Sequence, residues 1–442
     1  MAKAKKAIPA DFRYETGPAR VPWAAVGEPI GPGEARKVIE FLLPPVEGKE
    51  ATHRRLLAQV RKDLRKLSQV SRRATKLSLG RQVKALEAEA TDFLRCKYAC
   101  FVTNATAGFE IGFRYADLRP GDEVIAPAIT FIATIAHPLA IGAKVVIADV
   151  DPRTVNMDPA DVERKITKRT KVIIPVHIGG YPVDMDPIMR LARRHNLVVI
   201  EDAAHAFGGR YGGKMIGTIG HFGSFSFHEV KNINSFGEGG LLASDLPVGK
   251  QFAQTRFLGL DTSRKIKNWL YDVIAVQGKY GPFACNNSSS TEIQALVLRE
   301  QMRRLPGIIA KRREAANYLN ARFAKTPGII TPPLDSAKVK STHHLYLLQV
   351  DHELLGADVQ VLKKKLTDRG VTNIPHFAPL YKFTVMRQLG YNTKAIEATC
   401  PNAEMAFNHR FTHLPLYAFK KSQIKYMADA VIESVQEMRA GR

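Results

Sequence analysis

Cysteine is scarce: Cys96, Cys100, Cys285 and Cys400 are the only four in 442 residues, and they form neither a CxxC pair nor a zinc-ligand spacing. A disulfide scaffold and a cysteine-built zinc site are excluded, and the thiols read as reduced packing residues. Apolar runs of the roughly 18 to 20 residues needed to cross a bilayer are missing too. The basic start MAKAKKAIPADFRY leads into no apolar signal core, so a cytoplasmic location is expected. There is no low-complexity tract, and 45% apolar with 24% charged residues is the balance of an ordinary globule. Two nucleotide signatures are also lacking: GxxxxGK[ST], and a GxGxxG promptly after a strand with an acid about 20 residues on. Neither ATP nor nicotinamide use is signalled.

What the chain has in excess is positive charge, +23 overall, and much of it is local. Between Arg54 and Arg81 lie ten Lys or Arg residues against one acid, Asp63. Leu56, Leu57, Val60, Leu64, Leu67 and Val70 recur there at steps of three and four, which predicts a helix with one apolar stripe and one cationic face. A solvated surface face is the plain reading; a phosphate-rich or acidic partner and an anionic membrane surface are the alternatives. No aromatic residue interrupts the segment, so stacking on bases has no support.

From about residue 82 to 245 short apolar strands alternate with helices. Strands are expected at 99–103, 122–128, 144–150, 171–178, 197–203, 222–227 and 239–244, with helices at 107–115, 131–141, 159–166 and 187–194. Near-continuous apolar strands separated by helices imply a mostly parallel sheet covered on both faces, with ligands beyond the carboxyl ends of its strands. A long helix after Gln294, a strand at 343–350 and helices near 358–369 and 421–438 suggest a smaller α+β domain, with HLPLYAF as a rigid turn between domains. The expected organisation is an N-terminal arm and inserted basic helical segment (1–81), a large domain (82–295) and a small C-terminal domain (296–442).

The chemistry is concentrated in VVIEDAAHAFGG (198–209) and GHFGSFSFHEVKNINSFGEGG (220–240). The first ends an apolar strand with an acid pair, and strand alternation sends Glu201 and Asp202 to opposite faces. The second holds a single lysine, Lys231, between a polar, aromatic segment and a glycine turn. A lysine amine whose pKa is lowered in such a pocket can form an imine with an aldehyde cofactor.

With TNATAG (103–108), RPGDEVIAPAITFIAT (119–134), IPVHIGG (174–180), IEDAAHAFG (200–208), FSFHEVKN (225–232), GEGG (237–240), PHFAPLY (375–381) and HLPLY (413–417), the chain resembles the DegT/DnrJ/EryC1/StrS family of pyridoxal phosphate (PLP) dependent sugar aminotransferases. The resemblance covers roughly residues 82 to 440. It implies the fold of aspartate aminotransferase (PLP fold type I): a mostly parallel central sheet flanked by helices, with a smaller α+β C-terminal domain. It makes Lys231 the residue that carries PLP as a Schiff base and then moves a proton, with pyridoxamine phosphate as the intermediate cofactor form. Asp202 becomes the partner of the pyridine nitrogen, Phe131 and Ala204 lie on the two ring faces, and His205 meets the phenolic oxygen. Ala105, Thr106 and Ser226 bind the phosphate, and Asn287 reaches it from a neighbouring subunit, implying an obligate homodimer with shared sites. His343, His376 and Tyr381 are candidate substrate neighbours; no metal is implied.

The chain departs from the family pattern at three places, the first of them Ala105, where the family more often has Gly. Ser289 stands where the family usually has Arg, and most of residues 44–80 is inserted. The expected reaction takes an amine from an amino acid, glutamate or glutamine, and passes it to a keto sugar, a nucleotide-linked keto sugar or a keto cyclitol. A PLP-dependent lyase, dehydratase or decarboxylase of the same fold, and a noncatalytic basic regulatory protein, are the rival readings.

Overall fold

The computed structural model describes residues 30–71, 76–261, 272–373, 378–417 and 419–441. The chain separates into two compact units, Met1–Arg81 and Gln82–Arg442. In the first, helix α1 (Pro32–Leu42) has proline in its first turn, and Glu34 accepts the Gly31 N–H at 3.0 Å. Helix α2 (Glu50–Val70) packs along it. The steps of three and four are thus realised as a helix, but neither α1 nor α2 contains a fully buried residue. Leu57, Val60 and Leu64 are half-buried, whereas Leu56, Leu67 and Val70 are exposed.

The second unit opens with helix α3 (Arg81–Leu94) and is organised by seven strands: β1 (Tyr98–Val102), β2 (Glu123–Pro127), β3 (Lys144–Ala148), β4 (Thr170–Ile173), β5 (Val198–Asp202), β6 (Phe222–Ser226) and β7 (Gly240–Ser244). Their spatial order is β1-β7-β6-β5-β4-β2-β3. Strand β7 is antiparallel to both neighbours; the other pairings are parallel. Val198 and Ile200 enter one core while Val199 enters the core on the other face, so every position of the strand is buried. That two-sided burial is why these strands read as unbroken apolar runs. It also puts the carboxyl end of β5 in the middle of the sheet.

Local chemistry trims the expected elements. The strand expected at 171–178 ends at Ile173, because Pro175 has no N–H to give the ladder; beyond it Val176 makes only an isolated bridge to Asp202. The helix expected at 131–141 divides into a tight turn, Ile132–Ile135, and a short helix, Ala136–Ala140, in keeping with the β-branched run around Thr130, Ile132, Thr134 and Ile135. Helix α4 (Ala105–Tyr115) begins two residues early, since the Asn104 side chain caps it by accepting the Ala107 N–H at 2.9 Å.

Helix α5 (Glu292–Phe323) starts with a Thr291 and Gln294 capping box and runs 32 residues. Its first half contributes Ala295, Leu298, Leu305 and Ile309 to one face of the large sheet. Its second half contributes Ala315, Ala316, Leu319 and Phe323 to a third core, beside the sheet β8 (Ile329–Ile330), β9 (Leu345–Val350) and β10 (Phe411–Pro415) and helix α6 (Lys421–Ala440). The segment expected as a rigid turn between domains begins as strand: His413, Leu414 and Pro415 pair with Leu347, Tyr346 and Leu345. Proline is tolerated there because it is the last residue of β10.

The start of α4 is pressed against the start of β7. A Cβ on Gly240 would sit 2.3 Å from the Asn104 carbonyl carbon and 2.7 Å from the Ala105 nitrogen, both backbone atoms that cannot swing away. Gly240→Ala is therefore expected to cost about 1–3 kcal/mol of stability. Chemical denaturation measures this, and an unchanged midpoint would show that α4 has room to move.

Candidate active site

The centre of the site is the Asp202 side chain, at the last position of β5 and 5% exposed. Thr134 donates to one carboxylate oxygen at 2.8 Å and the Ala204 N–H to the other at 3.1 Å. Thr134 is itself 2.8 Å from the Thr130 hydroxyl. Burial pushes the Asp202 carboxyl up, against the pull of these two hydrogen bonds and of the charges on Lys231 and His177. Each oxygen accepts one of these bonds and retains capacity for another, so a cationic N–H arriving here would hold the carboxylate ionised.

Glu201, one residue earlier, points to the other face and is fully buried. It accepts the N–H groups of Gly217, Ile219 and Gly220 at 2.8, 2.7 and 2.6 Å, and lies 3.2 Å from Nε2 of His177. Val183 donates its N–H to Nδ1 of that histidine, which leaves Nε2 as the proton-bearing nitrogen facing Glu201. Glu201 thus fastens the loop leading into β6. Its neighbour alone is aimed at the site.

Lys231 follows β6 in a turn closed by its N–H to the His228 carbonyl at 3.0 Å. Burial lowers its amine from 10.5 to about 8, while the Asp202 charge acts in the opposite direction. The coupling means that the lysine and the carboxylate sense one another electrostatically. Asn232 anchors this turn: its amide donates to the Thr342 carbonyl at 3.2 Å, and its oxygen is 2.9 Å from Nδ1 of His344. The His344 ring lies 4.4 Å, centroid to centroid, from that of His205. His205 also accepts the Gly179 N–H at 3.3 Å, and its carbonyl accepts from the Thr342 hydroxyl at 2.6 Å.

Around this pair the structure places the remaining expected residues as follows. Phe131 begins the turn that ends at Thr134 and is 63% exposed, so its ring has a face available for stacking. Ala204 and His205 continue directly from Asp202 and are half-buried. Ala105 and Thr106 form the first turn of α4, where N–H groups lack intrahelical acceptors and favour an anion. Ser226 ends β6, and its oxygen accepts the His228 N–H at 3.3 Å. Asn287 is exposed, and its side-chain oxygen accepts the Ser289 N–H at 3.1 Å and the Ser289 hydroxyl.

These features fit a phosphorylated pyridine aldehyde: an amine of lowered pKa, a buried carboxylate with spare acceptor capacity, and a helix start held close by a glycine that leaves no side chain in the way. Lys231 would carry the aldehyde, Asp202 the ring nitrogen and the start of α4 the phosphate.

Two expected substrate neighbours lie in segments that touch the site but are paired there: Thr342 and His344, on either side of His343, meet His205 and Asn232, and Leu380, next to Tyr381, donates its N–H to the Ala128 carbonyl at 2.7 Å. His343 is buried with Nε2 3.3 Å from Asp335, whose carboxyl burial would raise but His343, the Ser341 N–H and Arg313 together draw down to about 2. Tyr381 is 1% exposed, and its hydroxyl donates to Glu404 at 2.6 Å. Both are engaged in structural pairs. His376 lies outside the described residues. Sequence reasoning missed Thr134, although it sits three positions after Phe131 and hence one turn away. In the His343–His344 doublet His343 has a positive φ, 48°, and it is His344 that meets Asn232. Among the described residues no cluster suited to a metal ion is present.

A profile of the DegT/DnrJ/EryC1/StrS aminotransferase family matches residues 59–432. The spore coat polysaccharide biosynthesis protein SpsC of Bacillus subtilis is 35% identical over 376 residues, covering 83% of this chain and 91% of that protein. GDP-perosamine synthase of Caulobacter vibrioides is 33% identical over 324 residues, 73% of this chain and 83% of the synthase. Among solved structures, the PLP form of the Spr1654 protein of Streptococcus pneumoniae superposes with a TM-score of 0.72 at 26% identity, covering 83% of this chain and 94% of that one.

Replacing Thr134 by Val removes a donor to the ionised Asp202. Turnover should fall about tenfold, and because the carboxyl pKa rises further, the acid limb of the pH profile should move to higher pH. Unchanged turnover and an unchanged acid limb would show that the Thr134 bond does not tune the carboxylate. In cofactor-free protein, labelling with an amine-reactive reagent should titrate Lys231 with an apparent pKa of about 8. An ordinary lysine, near ~10.4, would react far more slowly at that pH.

Proposed function

Because the chain belongs to the DegT/DnrJ/EryC1/StrS aminotransferase family, we propose that it takes the amino group of glutamate or glutamine and transfers it to a nucleotide-linked keto sugar, as a cytoplasmic homodimer with shared sites. That it is a PLP-dependent aminotransferase of fold type I follows from the family and from the solved relatives. The nucleotide-linked acceptor is favoured by the likeness to a GDP-perosamine synthase. The arrangement that supports the residue assignment is the buried Asp202 carboxyl at the end of β5 with Lys231 in the turn after the paired strand β6, its amine lowered by burial.

When bound, PLP supplies an electron sink for the carbanion formed at the substrate carbon. The chain's residues do the rest. Lys231 would hold the cofactor through its Nζ, and its free amine would accept and give back the proton of the substrate carbon. An amine near 8 is better suited to this than an ordinary lysine near ~10.4, since far more of it is neutral at a given pH while it remains a competent base. Asp202 would keep a proton on the ring nitrogen, with Thr134 and Ala204 holding the carboxylate in place. Phe131 and Ala204 would confine the ring. The first N–H groups of α4 and the Ser226 hydroxyl would receive the phosphate. Asn287 would serve the partner's site; since Ser289 occupies its oxygen, its amide NH₂ is the group left to donate.

Borohydride reduction of the holoenzyme followed by peptide mass analysis tests the assignment: the tag should fall on Lys231, and a tag elsewhere, or none in cofactor-saturated protein, sinks it. Lys231→Arg should abolish amino transfer, because a guanidinium with a pKa above about 12 cannot condense or accept the proton. Adding glutamate or glutamine should bleach the long-wavelength cofactor absorption of the wild type. No bleaching with either would reject both as donors.

A further inference from the structure

The first unit carries a surface that this chemistry does not use. On α2, Leu56, Leu67 and Val70 recur at steps of eleven and three, hence on one side of the helix, and are 58%, 56% and 84% exposed. On α1 and the turn after it Val38, Phe41, Leu42 and Val46 are exposed as well, Phe41 by 82%. Of the cations of α2, Arg55 and Lys66 flank that stripe, Lys62 lies just beyond them, and Arg54, Arg61 and Arg65 fall on the far side. Within the helix only Glu50 and Asp63 offset them, leaving +4.

We propose that the α1–α2 hairpin docks the enzyme on an anionic lipid surface, its apolar side entering the boundary between headgroups and acyl chains and its cations meeting lipid phosphates. Neither half of this surface is explained by the other. A soluble polyanion matched to the cations would leave Leu56, Leu67 and Val70 in water. A second copy of this hairpin could cover those residues, but it would bring together two units of +10 each over residues 1–81. An anionic bilayer satisfies both sides at once, which is the arrangement of a helix lying in the membrane interface. Arg55 and Lys66 flank the apolar stripe, and their aliphatic stems can run along it while the charged heads reach the phosphates. Two helices without a fully buried residue also gain little from each other, so burial of the shared apolar side would strengthen the hairpin itself.

Cosedimentation of the full-length holoenzyme with vesicles tests this. Vesicles containing roughly a third phosphatidylglycerol should bind it at least about tenfold more tightly than pure phosphatidylcholine, because each basic residue near such a surface adds about fivefold. Leu56→Asp with Leu67→Asp keeps every cation and should lose vesicle binding while amino transfer continues. Arg61→Gln with Arg65→Gln should lose the preference for phosphatidylglycerol. The proposal is overturned if the anionic vesicles fail to pellet the wild type. It is equally overturned if the aspartate double variant pellets as well as the wild type, which is adsorption by charge alone. It also falls if light scattering shows that variant at a smaller assembly mass than the wild type, since a second copy would then be what covers this side.

Discussion

Two opposite charges share a region from which water is largely removed, and most of the architecture of the second unit serves to keep them there. Burial alone would neutralise both groups, raising the Asp202 carboxyl and lowering the Lys231 amine, while each pulls the other back toward its charged form. A fully solvated lysine would not have its amine lowered in this way. The carboxylate can face the site because its neighbour Glu201 takes the opposite direction, where three backbone N–H groups and His177 hold it.

The pair is positioned by close backbone approaches rather than by long side chains. Gly240 lets β7 run against the first turn of α4, and Gly217, at φ +84°, leaves the space that the Phe225 ring occupies. The lysine turn is tied through Asn232 to Thr342 and His344, more than a hundred residues later in the chain. His205, which directly follows the Asp202 segment, is fastened to the same stretch by the Thr342 hydroxyl. Movement of the C-terminal segment would therefore reach both halves of the site. The two halves of α5 extend this linkage, since one continuous helix is packed into the large sheet at one end and into the third core at the other.

Much of this was legible beforehand. The seven strands stand out as short apolar runs because both faces are covered, and period-two alternation alone separates Asp202 from Glu201. Lys231 is recognisable from its motif, as are Phe131 and the start of α4. Other features left no such trace. Thr134 is one threonine among several, and its role depends on a tight turn formed where a regular helix was expected. His343 and His344 are identical in type and adjacent, and only the positive φ at 343 decides which of them meets Asn232. Tyr381 belongs to a recognisable motif, yet Glu404 holds its hydroxyl inside the core. HLPLY was misjudged because proline suggests a turn, whereas the strand simply ends on it.

The amino-acid sequence determined which chemistry is available: one lysine and one acid at strand ends, glycines where backbones must approach, and a cationic helix with an apolar stripe. Such features are local, set by residue type and periodicity, and need no knowledge of distant neighbours. The tertiary structure decided the electrical state of the lysine and the acid, the partners of each histidine, and the exposure of the hairpin's apolar residues. These are properties of burial and of contacts between residues far apart in the chain, and they exist only once the chain has closed around them.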